Sequence, residues 1–248
     1  MFQRIFFAAI VAGLLAGALI SGVQSVTTTP IILHAEENEG GGQDHSATSP
    51  GVNSIQLAVF DAATGKLLHR IGESAPAANK EEGWAPEDGL ERTLYTTLAN
   101  LLIGTGFSLL VVAGMVLSGR PVKVGTGVLW GAAGFVVFTL APGLGLPPEV
   151  PGSMAAELGA RQSWWIFAAA GAALGLGLMV FADKLYWKAA GVVVMVLPHL
   201  VGAPHPASIG GAVPPELAGQ FAATAIVVSA ISWVMIGGFS AAFYRRLG

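Results

Sequence analysis

Two histidines, His199 and His205, stand six residues apart in "LPHLVGAPHP", where a strongly apolar run meets Pro198, Pro204 and Pro206. Imidazole suits divalent Co, Ni, Cu and Zn, and carboxylates compensate their charge. His34 and Glu36 in "LHAEENE" and Glu216 in "VPPELAG" complete a candidate metal-ligating set. Neutral imidazole is the ligating form, so such binding weakens as histidine protonates below about pH 6.5. Six residues on a regular helix put two side chains on opposite faces. A shared ion therefore needs a bent or unwound backbone, which the prolines make available. The competing reading of His199 is a hydrogen bond to a carbonyl left free by Pro198. His45 and His69 read as solvated loop side chains.

The elements that carry these residues are membrane-grade. The 248-residue chain is 53% hydrophobic and only 11% charged, less than half the roughly 25% charged content of soluble domains. Its mean hydropathy is +0.66. Six apolar segments stand out: 5–26, 94–117, 124–141, 164–181, 187–201 and 221–243. A bilayer core needs roughly 20 apolar helical residues. The segment 187–201 is marginal, and is either a short span or a helix interrupted at Pro198. The first segment is longer than a signal-peptide core and lacks an A-x-A cleavage site, so it reads as a retained span. Its Ala9, Gly13, Gly17 and Ser21 form a four-residue stripe of small side chains suited to close packing. The expected fold is an all-α integral membrane bundle of six transmembrane helices, five if 187–201 does not span, with a hydrophilic outer loop. Residues 1–26 are the first helix, 27–93 the outer loop and 94–248 the rest of the bundle.

Six spans return the C terminus to the side of the N terminus. With that side cytoplasmic, the inner segments hold Arg4, Arg120, Lys123, Lys184, Lys188, Arg245 and Arg246, seven of 12 Lys+Arg, and one acid, Asp183, of 15. Every short loop then obeys the positive-inside rule. All five histidines fall on or near the outer side. There, "EENEGGGQDHSATSPG" reads as a low-complexity linker, and "SIQLAVFDAATGKLLHRIG" as a small hairpin. Glu87 and Asp88 stand where they could cap the second span, and Glu91 and Arg92 read as interfacial anchors or a local ion pair. In the third-to-fourth connection, five Gly and Pro in "APGLGLPP" exclude a regular helix. Trp164 and Trp165 read as an interfacial aromatic belt, and Arg161 as a snorkelling side chain.

Other chemistries find no support. The chain has no cysteine, hence no thiolate metal site, Fe–S cluster or thiol nucleophile. It lacks a P-loop, H-E-x-x-H and G-x-S-x-G. No basic patch with interleaved aromatics suggests nucleic acid. No catalytic residue, enzyme activity or permanently bound cofactor is expected. A haem-binding redox subunit would need histidines facing one another from different spans, and only His199 lies in or beside one. A scaffold whose partner carries the metal is a third reading.

The stretches "MFQRIFFAAIVAGLLAGALISGVQ", "PIILHAEENE", "WAPEDGLERTLYT", "LAPGLGLPPEVPGSMAAELGARQSWW" and "LPHLVGAPHP" together resemble the CbtA family of cobalt transporter subunits. The long fourth stretch is the specific one. The resemblance implies Co²⁺ as the transported ion, uptake across the inner membrane in support of cobalamin synthesis, and a small CbtB-like partner with a histidine-rich tail. Descriptions of that family often give five spans. The resemblance carries no ligand set, so His199, His205, His34, Glu36 and Glu216 rest on the residues alone.

Overall fold

A computed structural model describes residues 2–41, 58–60, 67–70, 86–206, 211 and 213–247. Helix α1 (Phe2–Val26) turns at Thr27 into α2 (Thr28–Gly41). Strands β1 (Ala58–Phe60) and β2 (Leu67–Arg70) pair antiparallel. Then follow α3 (Leu90–Leu117), α4 (Val124–Phe135), a π-helical turn (Val136–Leu140), α5 (Ala141–Gly143), α6 (Leu158–Phe181), α7 (Leu185–Val201) and α8 (Pro215–Arg246). The stretch from α4 through α5 is one continuous rod, Val124–Gly143. Among the described residues, five helices are long and apolar enough to cross a bilayer, and α7 is a shorter apolar helix of 17 residues. At 1.5 Å per residue α7 reaches about 25 Å, just under the roughly 30 Å hydrocarbon core.

Glycine-lined seams hold three antiparallel pairs together. A Cβ on Gly13 would strike the backbone of Gly104 and Thr105, and one on Gly17 the backbone of Asn100 and Leu101. Between α4 and α8, Gly131 lies on the Trp233 carbonyl and Gly127 on that of Gly237. Between α6 and α7, Gly175 and Gly191 each lie on the other's carbonyl. Lipid tails are as apolar as leucine, so burial drives little helix association here. Close backbone approach supplies dispersion instead. Ala9, Gly13 and Gly17 of the expected α1 stripe are buried in its seam. Ser21, next along, bonds back to the Gly17 carbonyl at 2.8 Å.

Helices α1, α3, α4 and α8 form a bundle, and the α6–α7 hairpin leans on it through the π turn and α5. Arg4 Nε donates to the Tyr244 carbonyl at 2.7 Å and its guanidinium covers the Tyr244 ring at 4.0 Å. The start of α1 and the end of α8 therefore share one end of the bundle. Arg120 lies 5.1 Å from the Phe181 ring, which brings the α3–α4 and α6–α7 turns to that same basic end. Helix α7 runs from there back toward the opposite, loop-bearing end, packed against α6.

Several local expectations are corrected. Helix α7 is not interrupted at Pro198: it continues to Val201 and stops at Gly202, whose φ of 88° suits glycine. Pro198 supplies no N–H to the Val194 carbonyl, which is turned toward Gly171 of α6. Likewise the helix runs into "APGLGLPP" as far as Gly143. The π turn immediately precedes Pro142, where an α turn would drive the proline ring against the Phe138 carbonyl. Glu87 and Asp88 do not cap α3 with their side chains. The N-cap is Gly89, with φ 94° and no side-chain bond. Trp164 is buried rather than belted at an interface, and Arg161 pairs with Glu149 at 2.8 Å. The hairpin is present, with Ala58 opposite Arg70. The supposed linker from Glu36 is helical up to Gly41, and the rest of it, with His45, lies outside the described residues. So does the side chain of His69.

Candidate functional site

Polar side chains inside a membrane helix must face protein or water, and here three helices aim theirs at one space. On α3, Thr93, Thr96, Thr97 and Asn100 recur at three- and four-residue spacing, which is one helical face. Ser21, Gln24 and Ser25 of α1 and Ser229 and Ser232 of α8 do the same. With Thr28 and Thr29 of α2 and Thr139 of the π turn, they form the polar part of the wall of a half-open, mainly apolar cavity of about 700 Å³. Asn100 Nδ2 donates to Gln24 Oε1 at 2.6 Å and to Ser21 Oγ at 3.0 Å. Thr139 and Ser229 share a hydrogen bond of 2.9 Å, and Trp233 Nε1 donates to Thr139 Oγ1 at 3.3 Å.

Aromatic rings close the cavity's deep side. Phe138 stacks on Trp233 at 5.6 Å with planes 5° apart, Phe107 lies 4.6 Å from Trp233, and Trp165 lies 6.3 Å from Phe138. All four line the cavity wall. Toward the loop end stands Arg92, which bonds both oxygens of Glu36 at 2.7 and 2.8 Å and approaches Asp88 at 3.3 Å. A second recess of about 580 Å³ lies beyond it, lined by Glu36, Glu37 and Asp88 among others.

The sequence-derived candidates lie on α2, on α7, in the segment after α7 and on α8. His34 is exposed on α2, and its carbonyl accepts from Asn38 Nδ2 at 2.7 Å. Glu36 is engaged by Arg92. His199 is half-buried on the last turn of α7, edge-on to Trp164 at 5.7 Å. His205 is exposed beyond Gly202, and Glu216 is exposed in the first turn of α8. Among the described residues, no three or more His, Asp or Glu come together as a metal site. The carbonyl that Pro198 leaves without a helical N–H is that of Val194, which faces Gly171 of α6, while the Pro198 carbonyl accepts from Gly202 N at 3.1 Å and Trp164 Nε1 at 3.3 Å.

The two Gly/Pro-rich connections do meet. Ser153 bridges Gly211, and Gly145 packs on Trp164 beside Ala203. They are packed against each other by Trp164 rather than lining the polar cavity. Glu157 begins α6 by accepting from Gly159 N at 2.8 Å and Ala160 N at 2.7 Å. Those two backbone donors hold its carboxyl below the ordinary 4.5. The cavity residues were missed because none is individually conspicuous. Their signal is the spacing of small hydroxyl and amide groups along one face of three otherwise apolar helices.

A chain with five bilayer-length apolar helices among the described residues is a multi-pass membrane protein. The chain belongs to the family described as Probable cobalt transporter subunit (CbtA), whose family model matches residues 2–245, nearly the whole chain. Comparison with curated proteins and with solved structures found no match.

Proposed function

We propose that this chain is the permease component of an inner-membrane Co²⁺ uptake system that supplies cobalamin synthesis, with the polar cavity as the ion's route. The observation that carries the reading is the row of Ser, Thr, Asn and Gln in the mainly apolar wall of a cavity of about 700 Å³, in a cobalt-transporter-subunit chain. Hydroxyl and amide oxygens can replace bulk water around a hydrated cation within an otherwise apolar bundle. The basic end, with both chain ends, faces the cytoplasm on this reading, in keeping with the positive-inside rule. The loop end then faces outward and receives the ion.

Capture at the loop end uses carboxylate and imidazole groups singly rather than as one shell. Glu36 is the candidate nearest the route, since it lines the outer recess. His34, His199, His205 and Glu216 would enrich the ion locally. A small histidine-rich CbtB-like subunit would hand the ion on, and no catalytic step by this chain is involved. Co²⁺ flux into proteoliposomes holding the chain, with and without that small subunit, tests the function. Flux above protein-free vesicles supports it, and none in either preparation contradicts it.

A further inference from the structure

Arg92 stands where the two recesses meet. Thr29, Arg92 and Thr93 line both the outer recess and the cavity, and no other described residue does. Three carboxylates (Glu36, Glu37 and Asp88) against one guanidinium leave the outer recess with two formal negative charges. It is attractive to cations, while the wall between it and the cavity carries a positive charge. The guanidinium is fixed in direction: Nη1 and Nη2 each hold one oxygen of Glu36, and Nη1 lies 3.3 Å from Asp88. Such a two-pronged pair is specific in geometry as well as strong.

We propose that Arg92 sets the valence selectivity of the passage, standing as a held positive barrier that only a cation able to replace it at Glu36 and Asp88 can pass. The proposal rests on the reading of the cavity as the cation's route. A monovalent ion would exchange a bidentate guanidinium for a single charge of the same size, with no net gain. A divalent ion at the same distance attracts each carboxylate twice as strongly. Carboxylates are hard oxygen ligands that do not single out one first-row metal, so this neck sorts ions by charge and leaves the choice of element to other groups.

A purely structural tie between α2 and α3 makes a different prediction, because losing either partner would loosen it alike. The chain has no cysteine, so Thr97→Cys places a single thiol in the cavity behind Arg92. The measurement is its labelling rate by the monovalent cation methanethiosulfonate ethylammonium, normalised to an uncharged analogue, in the reconstituted full chain. Arg92→Gln is expected to raise the normalised rate about tenfold or more, the lower range of electrostatic rate effects. Arg92→Lys, and Glu36→Gln with its unpaired guanidinium, are expected to stay slow. An unchanged rate in Arg92→Gln, or equal acceleration in Glu36→Gln, overturns the proposal. Labelling needs no Co²⁺ flux, so failure of the transport reading would appear separately, in the proteoliposome experiment.

Discussion

The α6–α7 hairpin and the α1–α3–α8 wall are both polar-decorated apolar helices, yet they use polarity in opposite ways. The hairpin carries the conspicuous residues, His199 and Pro198, and packs them away: Pro198 is buried, and its carbonyl is taken by Gly202 and Trp164. The wall pairs its plain polar groups as well, Asn100 with Gln24 and Ser21 and Thr139 with Ser229, yet leaves a space of about 700 Å³ beside them. In a bilayer, a polar side chain whose surroundings are filled becomes structure. Several that converge without filling their common space make a place for water or an ion. Rarity of residue type marked the first region, and the function reading rests on the second.

Glycine contacts within the helix pairs differ in tightness from position to position. Gly131→Ala drives a methyl into the Trp233 carbonyl, whereas Gly171→Ala meets Val194 O at 3.0 Å and Pro198 Cγ at 3.1 Å. Overpacking costs about 1–3 kcal/mol, and Gly131→Ala is expected at the upper end and Gly171→Ala at the lower. At Gly22 nothing lies within 4 Å of an added Cβ, so Gly22→Ala should stabilise by up to about 1 kcal/mol through helix propensity. Thermal unfolding in detergent ranks the three. Equal losses at Gly131 and Gly171 would show that the closeness of the backbone contact does not set the cost.

The histidines give a smaller, functional contrast. In cells where the chain supports Co²⁺ accumulation, His199→Ala with His205→Ala is expected to keep uptake within about twofold of wild type, as for side chains that enrich an ion without enclosing it. Loss of uptake with the protein still present would return the site to the hairpin. A pH effect at the start of α6 should be smaller again. The Glu157 carboxyl is held low by Gly159 N and Ala160 N. Its contribution is therefore present above 4.5 and lost as pH falls through its lowered value. The difference in Tm between wild type and Glu157→Ala should shrink on acidification below 4.5, and a constant difference would show that the charged cap contributes nothing.

Much of this architecture was legible in the sequence. All six apolar segments lie inside helices, because 15 or more apolar residues in lipid have one way to satisfy their backbone. The α1 stripe and the β1–β2 hairpin were legible for similar local reasons. What escaped depends on neighbours. Pro198 does not break α7, which runs on to Val201 and ends at Gly202. Pro142 is accommodated by a π turn that no composition rule specifies. Glu36 read as a free ligand because its partner, Arg92, is 56 positions away. The cavity was the least visible feature: Ser21, Asn100 and Ser229 come from three helices, and only their packing shows that they share a space.

Blocking that space tests the central claim directly. Thr97→Cys in the otherwise cysteine-free chain gives a thiol in the cavity wall, and Leu102→Cys gives one on an exposed apolar position of the same helix. Co²⁺ accumulation is measured before and after complete modification with a bulky thiol reagent. With the cavity as the ion's route, modification at 97 abolishes uptake and modification at 102 leaves it intact. Full uptake through a chain wholly modified at 97 would contradict the account.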